Sequence, residues 1–249
     1  MRQRPDGIRV LTLDRPGRHN AITDALFTAL VEELEAIPED RRVRAVVLTG
    51  ANGTFSAGGD FDTLTTLGET SEAKVAEQLS RTMRASALLW ALPQPTFAAV
   101  DGAAVGAGMS LALACDIRVA SPAAILLPSF IHMGLAPDSG ASWLLPRLIG
   151  EGPALQILLA GRPVDAARAH RLGLVSQIST DPLAVALELA AEYTRRPQAA
   201  VATKRLLRTV AAGDLATAID LEAVAQATAF HSGEFTAAFD AWRTTRTVS

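Results

Sequence analysis

Thr96-Phe-Ala-Ala-Val-Asp-Gly-Ala-Ala-Val-Gly-Ala-Gly-Met-Ser110 is the stretch on which the reading of this chain turns. Its first five residues read as a buried strand, entered after Pro93 and Pro95 have stopped a helix. Asp101-Gly102 then breaks the strand in a turn, and Gly106-Ala-Gly-Met-Ser110 leads into a helix of small residues ending near Asp116. A glycine-rich loop running into a helix N-terminus leaves backbone N–H groups unpaired, a setting that favours negative charge. A strand that ends in such a loop belongs to an α/β fold, and that predicts the same alternation on either side.

Upstream, Ile8-Arg-Val-Leu-Thr-Leu-Asp14 alternates like a half-buried strand, and Thr23 opens an amphipathic helix that Pro38 ends. Val43–Thr49 is almost wholly apolar and β-branched, which predicts burial on both faces. It leads through Ala51-Asn-Gly53 into a second small-residue loop, Phe55-Ser-Ala-Gly-Gly-Asp60. Residues 71–92 read as one long helix. Downstream come short strands at 117–120 and 125–127, then a loop rich in Pro and Gly, then a helix from Asp138 to Ile149. Strand and helix alternate to about Gln177, the pattern of crossover units. From Asp181 the chain reads as helix only, at 183–195, 198–211, 215–230 and 234–246, the last carrying Phe235, Phe239 and Trp242 on one side. The division expected is therefore an α/β core over 1–180 and a helical region over 181–249.

Composition removes several classes of function. With a formal net charge of -3 and no long run of like charge, nothing points to nucleic acid or to a membrane surface. No apolar run reaches the roughly 18 residues of a membrane span, and no leader pattern opens the chain, so the cytoplasm is expected. The single cysteine, Cys115, excludes an internal disulfide and reads as a buried thiol. None of the four histidines has a partner at metal-ligand spacing, so no metal is expected. His132 reads either as part of a ligand pocket or as an ordinary loop residue.

Each glycine loop alone is weak evidence of chemistry. Gly106-Ala-Gly108 resembles the start of a dinucleotide fingerprint, but position 111 is Leu where a third glycine belongs. Ser110 has no nucleophile-elbow pattern around it. Asp138 stands just before a helix and on that ground alone reads first as an N-cap, with a functional carboxylate as the alternative. If two N–H groups from the two loops faced one oxygen, they would form an oxyanion hole, where one donor is worth about 3 kcal/mol.

Together, and in order, the motifs resemble the crotonase (enoyl-CoA hydratase/isomerase) superfamily over nearly the whole length. They are Asp14-Arg-Pro with Asn20-Ala21, Val46–Gly50, Phe55–Asp60, Ala98–Gly108, Cys115-Asp116, Gly134-Leu-Ala-Pro137 and Leu145–Gly150. The run Pro137–Gly150 is particularly similar to the epoxyphenylacetyl-CoA isomerase branch. The resemblance implies a crotonase-like spiral of ββα units with a helical C-terminal trimerisation region. It implies an acyl-CoA thioester substrate, with coenzyme A as part of the substrate and no separate cofactor, and a homotrimer or a hexamer built as a dimer of trimers.

The resemblance also implies site residues. The oxyanion hole would be the N–H groups of Ala57 and Ala107, while Gly58, Gly59 and Asp60 would line the nucleotide and pantetheine side. Arg18 would meet CoA phosphates. The two glutamates that hydratases use fall at Ser110 and Phe130, neither of which can exchange a proton as a carboxylate does. Asp138 falls where some isomerases and a dehalogenase of the superfamily carry a catalytic aspartate. The expectation is an enoyl-CoA isomerase, shifting a double bond or rearranging a ring epoxide, with Asp138 as acid/base. A weak hydratase, another enolate chemistry such as dehalogenation, and a non-catalytic acyl-CoA binding protein remain as alternatives.

Overall fold

In the computed structural model, residues 2–210 are described, together with the isolated positions Val224, Thr228, Gly233 and Ala237. The helices expected at 215–230 and 234–246, and the aromatic stripe of Phe235, Phe239 and Trp242, lie outside the described residues.

The main sheet follows the apolar runs of the sequence. It contains β1 (Arg2–Gln3), β2 (Ile8–Leu13), β3 (Ala45–Gly50), β4 (Thr96–Val100), β6 (Ile117–Ala120) and β9 (Gln177–Ile178) in that spatial order. All neighbours pair in parallel except β1 with β2. The residues of β4 are buried throughout, as are Ala45–Thr49 of β3, as strands covered on both faces must be. A smaller sheet holds β5 (Ala103–Val105), β7 (Ile125–Leu127) and β8 (Val164–Asp165).

Two turns of the spiral send one strand to the main sheet, the next to the small sheet, and then a helix. Thus β4 and β5 are followed by α5 (Ala107–Ala114), and β6 and β7 by α6 (Ala141–Ile149). In the turn that begins with β3, the second strand is reduced to one bridge, Ser56 to Ala104. β5 reads from sequence as loop, because three small residues carry no strand periodicity of their own.

Helices close both faces. α1 (Asp24–Ala36) is capped by Thr23, whose hydroxyl accepts from the Leu26 N–H, and it buries Phe27, Leu30 and Leu34. The long helix expected over 71–92 is instead two, α3 (Glu72–Thr82) and α4 (Arg84–Ala91). The break at Met83 lets α4 turn Ala85, Ser86 and Leu89 into the core while α3 stays at the surface. Ahead of them lies a helix not foreseen, α2 (Phe61–Gly68), which Asp60 caps. After α6 come α7 (Glu151–Ala160), α8 (Ala166–Arg171), α9 (Pro182–Tyr193) and α10 (Pro197–Val210). α9 lies beyond the boundary expected at 180, yet Ala186 and Ala190 pack on Ile8, Val47, Phe97 and Val119. The second face of the main sheet would be open without it, so the core continues through α9.

Two polar centres, one half-buried and one buried, tie this frame together. Asp116 accepts from the N–H and hydroxyl of Thr96 at 2.7 and 2.9 Å, and pairs with Lys204 and Arg208 of α10, both at 2.7 Å. Arg118 is buried and donates to the carbonyls of Leu113, Cys115 and Leu174, closing the C-terminal end of α5. The Cys115 thiol between them is pushed up to about 12, chiefly by burial, so it is no nucleophile.

Candidate active site

Three segments meet beside the N-terminus of α5: the loop 55–60, the β5–α5 junction and the loop 134–140. The first two are zipped together. The Ser56 N–H donates to Ala103 O and the Val105 N–H to Ser56 O, both at 2.9 Å. This bridge pairs 56 with 104, an offset of 104 − 56 = 48. Gly108 makes the close approach possible: a Cβ there would lie 2.6 Å from Ser56 Cβ.

The amides of the 55–60 loop have separate destinations. Gly58 N–H donates to Ser56 Oγ at 3.2 Å and Asp60 N–H to Ile22 O at 2.9 Å. Ala57 N–H, expected as an oxyanion donor, is spent on His19 O at 2.9 Å. The cause lies in His19 and Asn20, whose positive φ angles of 48° and 56° turn the His19 carbonyl toward the loop. Asn20 is buried and held in place by bonds to Arg15 N, Ala51 O and Thr54 O. Gly59 N–H has no hydrogen-bond partner among the described residues, and neither has Ala107 N–H, the first of α5. Gly106 supplies the turn into that helix with φ 50°, a conformation suited to glycine, while its own N–H donates to Leu127 O.

Gly59 and Ala107 line one cavity of about 240 Å³, whose wall also includes Ala57, Phe27, Phe130, Leu135 and Asp138. Phe130 is buried, and with Leu64 and Met83 it makes most of this wall apolar. Asp138 does not cap α6. The N-cap is Gly140, reached through two left-handed residues, Ser139 at φ 49° and Gly140 at φ 88°. The Asp138 carboxylate therefore has no helix amides to satisfy it. Its Oδ1 is shut from solvent without a hydrogen-bond partner. Burial raises its pKa above the ordinary carboxylate value, and nearby Ser139 opposes this more weakly.

The other expected site residues divide. Asp60 is buried but spent: Oδ1 accepts from Asp62 N–H and Thr63 N–H, and Oδ2 pairs with Arg15 at 2.7 Å. The Arg15 guanidinium holds its pKa below the usual range. Asp60 thus orders the loop and does not line the cavity, and Gly58 is likewise absent from the wall. Arg18 is exposed, facing Asp62 at 3.7 Å. His132 lines the cavity, with its Nε2 bonded to Gly161 O at 2.8 Å. Ser110 is fully buried, and its hydroxyl donates to Asp138 O at 3.0 Å. No group of three or more possible metal ligands occurs among the described residues, and no helix there is long and apolar enough to cross a membrane.

Gly59 and Ala107, whose amides are unspent among the described residues, line one cavity with the Asp138 carboxylate, an arrangement suited to chemistry on a polarised carbonyl. Residues 3–248 match the family model described as Enoyl-CoA hydratase/isomerase, and the chain belongs to that family. The protein named "Probable enoyl-CoA hydratase EchA14" of Mycobacterium tuberculosis (strain ATCC 25618 / H37Rv) is 39% identical over 206 residues, 82% of this chain and 79% of that one. The 1,2-epoxyphenylacetyl-CoA isomerase of Escherichia coli (strain K12) is 32% identical over 240 residues, 92% and 89% of the two chains. Among solved structures, an enoyl-CoA hydratase from Polaromonas sp. JS666 superposes with a TM-score of 0.88 at 33% identity, covering 94% of this chain and 93% of its own. A protein of Thermobifida fusca YX solved in complex with CoA gives a TM-score of 0.81 at 33% identity, covering 90% of each chain.

Proposed function

We propose that this protein is an enoyl-CoA isomerase in which the N–H groups of Gly59 and Ala107 polarise a thioester carbonyl and Asp138 moves the proton. One observation carries the reading: Asp138 lines the same cavity as Gly59 and Ala107, and its half-buried carboxylate, with Oδ1 shut from solvent and unpartnered, neither caps a helix nor forms an ion pair among the described residues. Polarisation acidifies the carbons next to the carbonyl. Asp138 takes a proton from one carbon, the electron pair delocalises onto the thioester oxygen, and the same carboxyl returns the proton to another carbon of the enolate. The double bond has moved, and no water or second acid enters the balance. Hydration would need a second acid/base group, and the expected positions hold Ser110, which is bonded away, and Phe130. In this reading coenzyme A belongs to the substrate, Arg18 is a surface contact for its phosphates, and the enzyme works in the cytoplasm as a homotrimer or dimer of trimers.

The test is deuterium uptake into enoyl-CoA in deuterated solvent. Asp138→Asn is expected to slow exchange by roughly 10²- to 10⁴-fold while acyl-CoA binding persists. Exchange at the wild-type rate in that variant refutes the assignment. Ala107→Pro removes one donor at a helix position that tolerates proline, and is expected to lower kcat by about 10²- to 10³-fold with the fold retained by circular dichroism. The hydratase names among the relatives favour a second reading, which loss of enone absorbance from crotonyl-CoA would support.

A further inference from the structure

We propose that Ser110 is a positioning residue: its hydroxyl joins the helix that carries the Ala107 amide to the backbone of Asp138, so that donor and base are set by one rigid element. The inference rests on the reading of Asp138 as the proton carrier and names what holds it there. Ser110 lies one turn after Ala107 on α5, an eight-residue helix whose every residue is buried.

A hydroxyl has one proton to give. Two acceptors stand near it, Gly106 O at 3.3 Å and Asp138 O at 3.0 Å. The first is the ordinary back-bond of a helical serine; the second crosses to another segment. Asp138 O also accepts from the Ala141 N–H at 2.9 Å, so both lone pairs of that carbonyl are used. The peptide plane between Asp138 and Ser139 is thereby pinned at the point where Ser139, a non-glycine residue, takes φ 49°. The Ser139 hydroxyl makes no hydrogen bond and does not hold this conformation itself. Without the Ser110 proton the Asp138 carbonyl keeps only the Ala141 N–H, so the constraint on the Ser139 φ weakens and the Asp138 side chain shifts with the peptide. The other titratable groups on the cavity wall are Asp24 and His132. His132 is tied to Gly161 O, so neither is fixed to the Asp138 backbone as Ser110 is.

The experiment titrates the Asp138 carboxyl by carbon-13 NMR and measures kcat and KM, in wild type, Ser110→Ala and the near-isosteric Ser110→Cys. Ser110→Ala is expected to lower kcat roughly 10- to 100-fold at nearly unchanged KM, the size of effect that a misplaced reacting group produces. The Asp138 midpoint should fall as the carboxylate gains access to water, and the acid limb of the activity profile should move down with it. Ser110→Cys, with a weak donor in place, should fall between. If Ser110→Ala only lowers the melting temperature, leaving kcat and the Asp138 midpoint as in wild type, Ser110 is structural and the proposal is overturned. Asp138→Asn separates the two claims. Turnover surviving in Asp138→Asn, with the midpoint still moved by Ser110→Ala, refutes the proton-carrier reading and leaves the positioning intact.

Discussion

Asp60 and Asp138 are the same residue type, each at the head of a helix and each beside a glycine-rich loop, and the fold treats them oppositely. Asp60 has both oxygens engaged: two helix amides take one, and Arg15 takes the other. Asp138 is held two residues short of its helix by Ser139 and Gly140, and Oδ1 has nothing to accept from. A carboxylate that is satisfied becomes a weaker base and a fastener. One that is left wanting becomes a stronger base and a cost to stability.

The largest effect that could break this contrast is on turnover. Asp138→Asn should nearly abolish proton exchange, whereas Asp60→Asn should keep kcat within a few-fold of wild type; similar losses in both would end the distinction. The next is the pH profile of kcat. With Asp138 as the proposed base and burial raising its pKa, activity should fall on acidification with a midpoint above the roughly 3.9 of a free aspartate. A midpoint at or below that value would mean that the carboxylate is solvated in the working enzyme.

The smallest effect is on stability, and there the two signs should differ. For Asp138 the folded pKa lies above the unfolded one. Its stabilising contribution is present below the unfolded value and lost as pH rises through the folded value, so at neutral pH the charged group is a burden. Asp138→Asn should raise the melting temperature at pH 7 by about 2–4 °C, with the gain fading in acid. For Asp60 the folded pKa is depressed, so its contribution is present above the unfolded value and disappears as pH falls through the folded one. Asp60→Asn should lower the melting temperature at pH 7 by a comparable amount.

The spiral was legible because its strands are apolar runs of strand length between turn residues, and Thr96–Val100 is a strand from end to end. Ala103–Val105 was not legible, since its pairing with β7 comes from the fold and not from its own pattern. The loop 55–60 could be singled out by its small residues, yet the amide expected to be free, that of Ala57, is spent on His19 O. Which amide is free depends on the Ser56–Ala104 register and on the His19 carbonyl, and neither is written in the local sequence. The same holds at Asp138. An aspartate before a helix reads as a cap, and only the left-handed pair after it shows that Gly140 occupies the cap instead. Residues 61–68 were missed as helix because threonines and a terminal glycine weaken their propensity, which the Asp60 cap offsets.

The Asp116 carboxylate gathers Thr96, 20 residues upstream, and Arg208, 92 residues downstream. A growing chain can therefore lay down β4 and β6 long before the cations that neutralise the carboxylate leave the ribosome. Until then the half-buried carboxylate has the Thr96 N–H and hydroxyl as its partners, so the ion pair itself waits on the arrival of α10. Released chains truncated before Lys204 should be cut by protease more readily than released chains truncated after Val210, and equal resistance would show that this ion pair does not secure the fold.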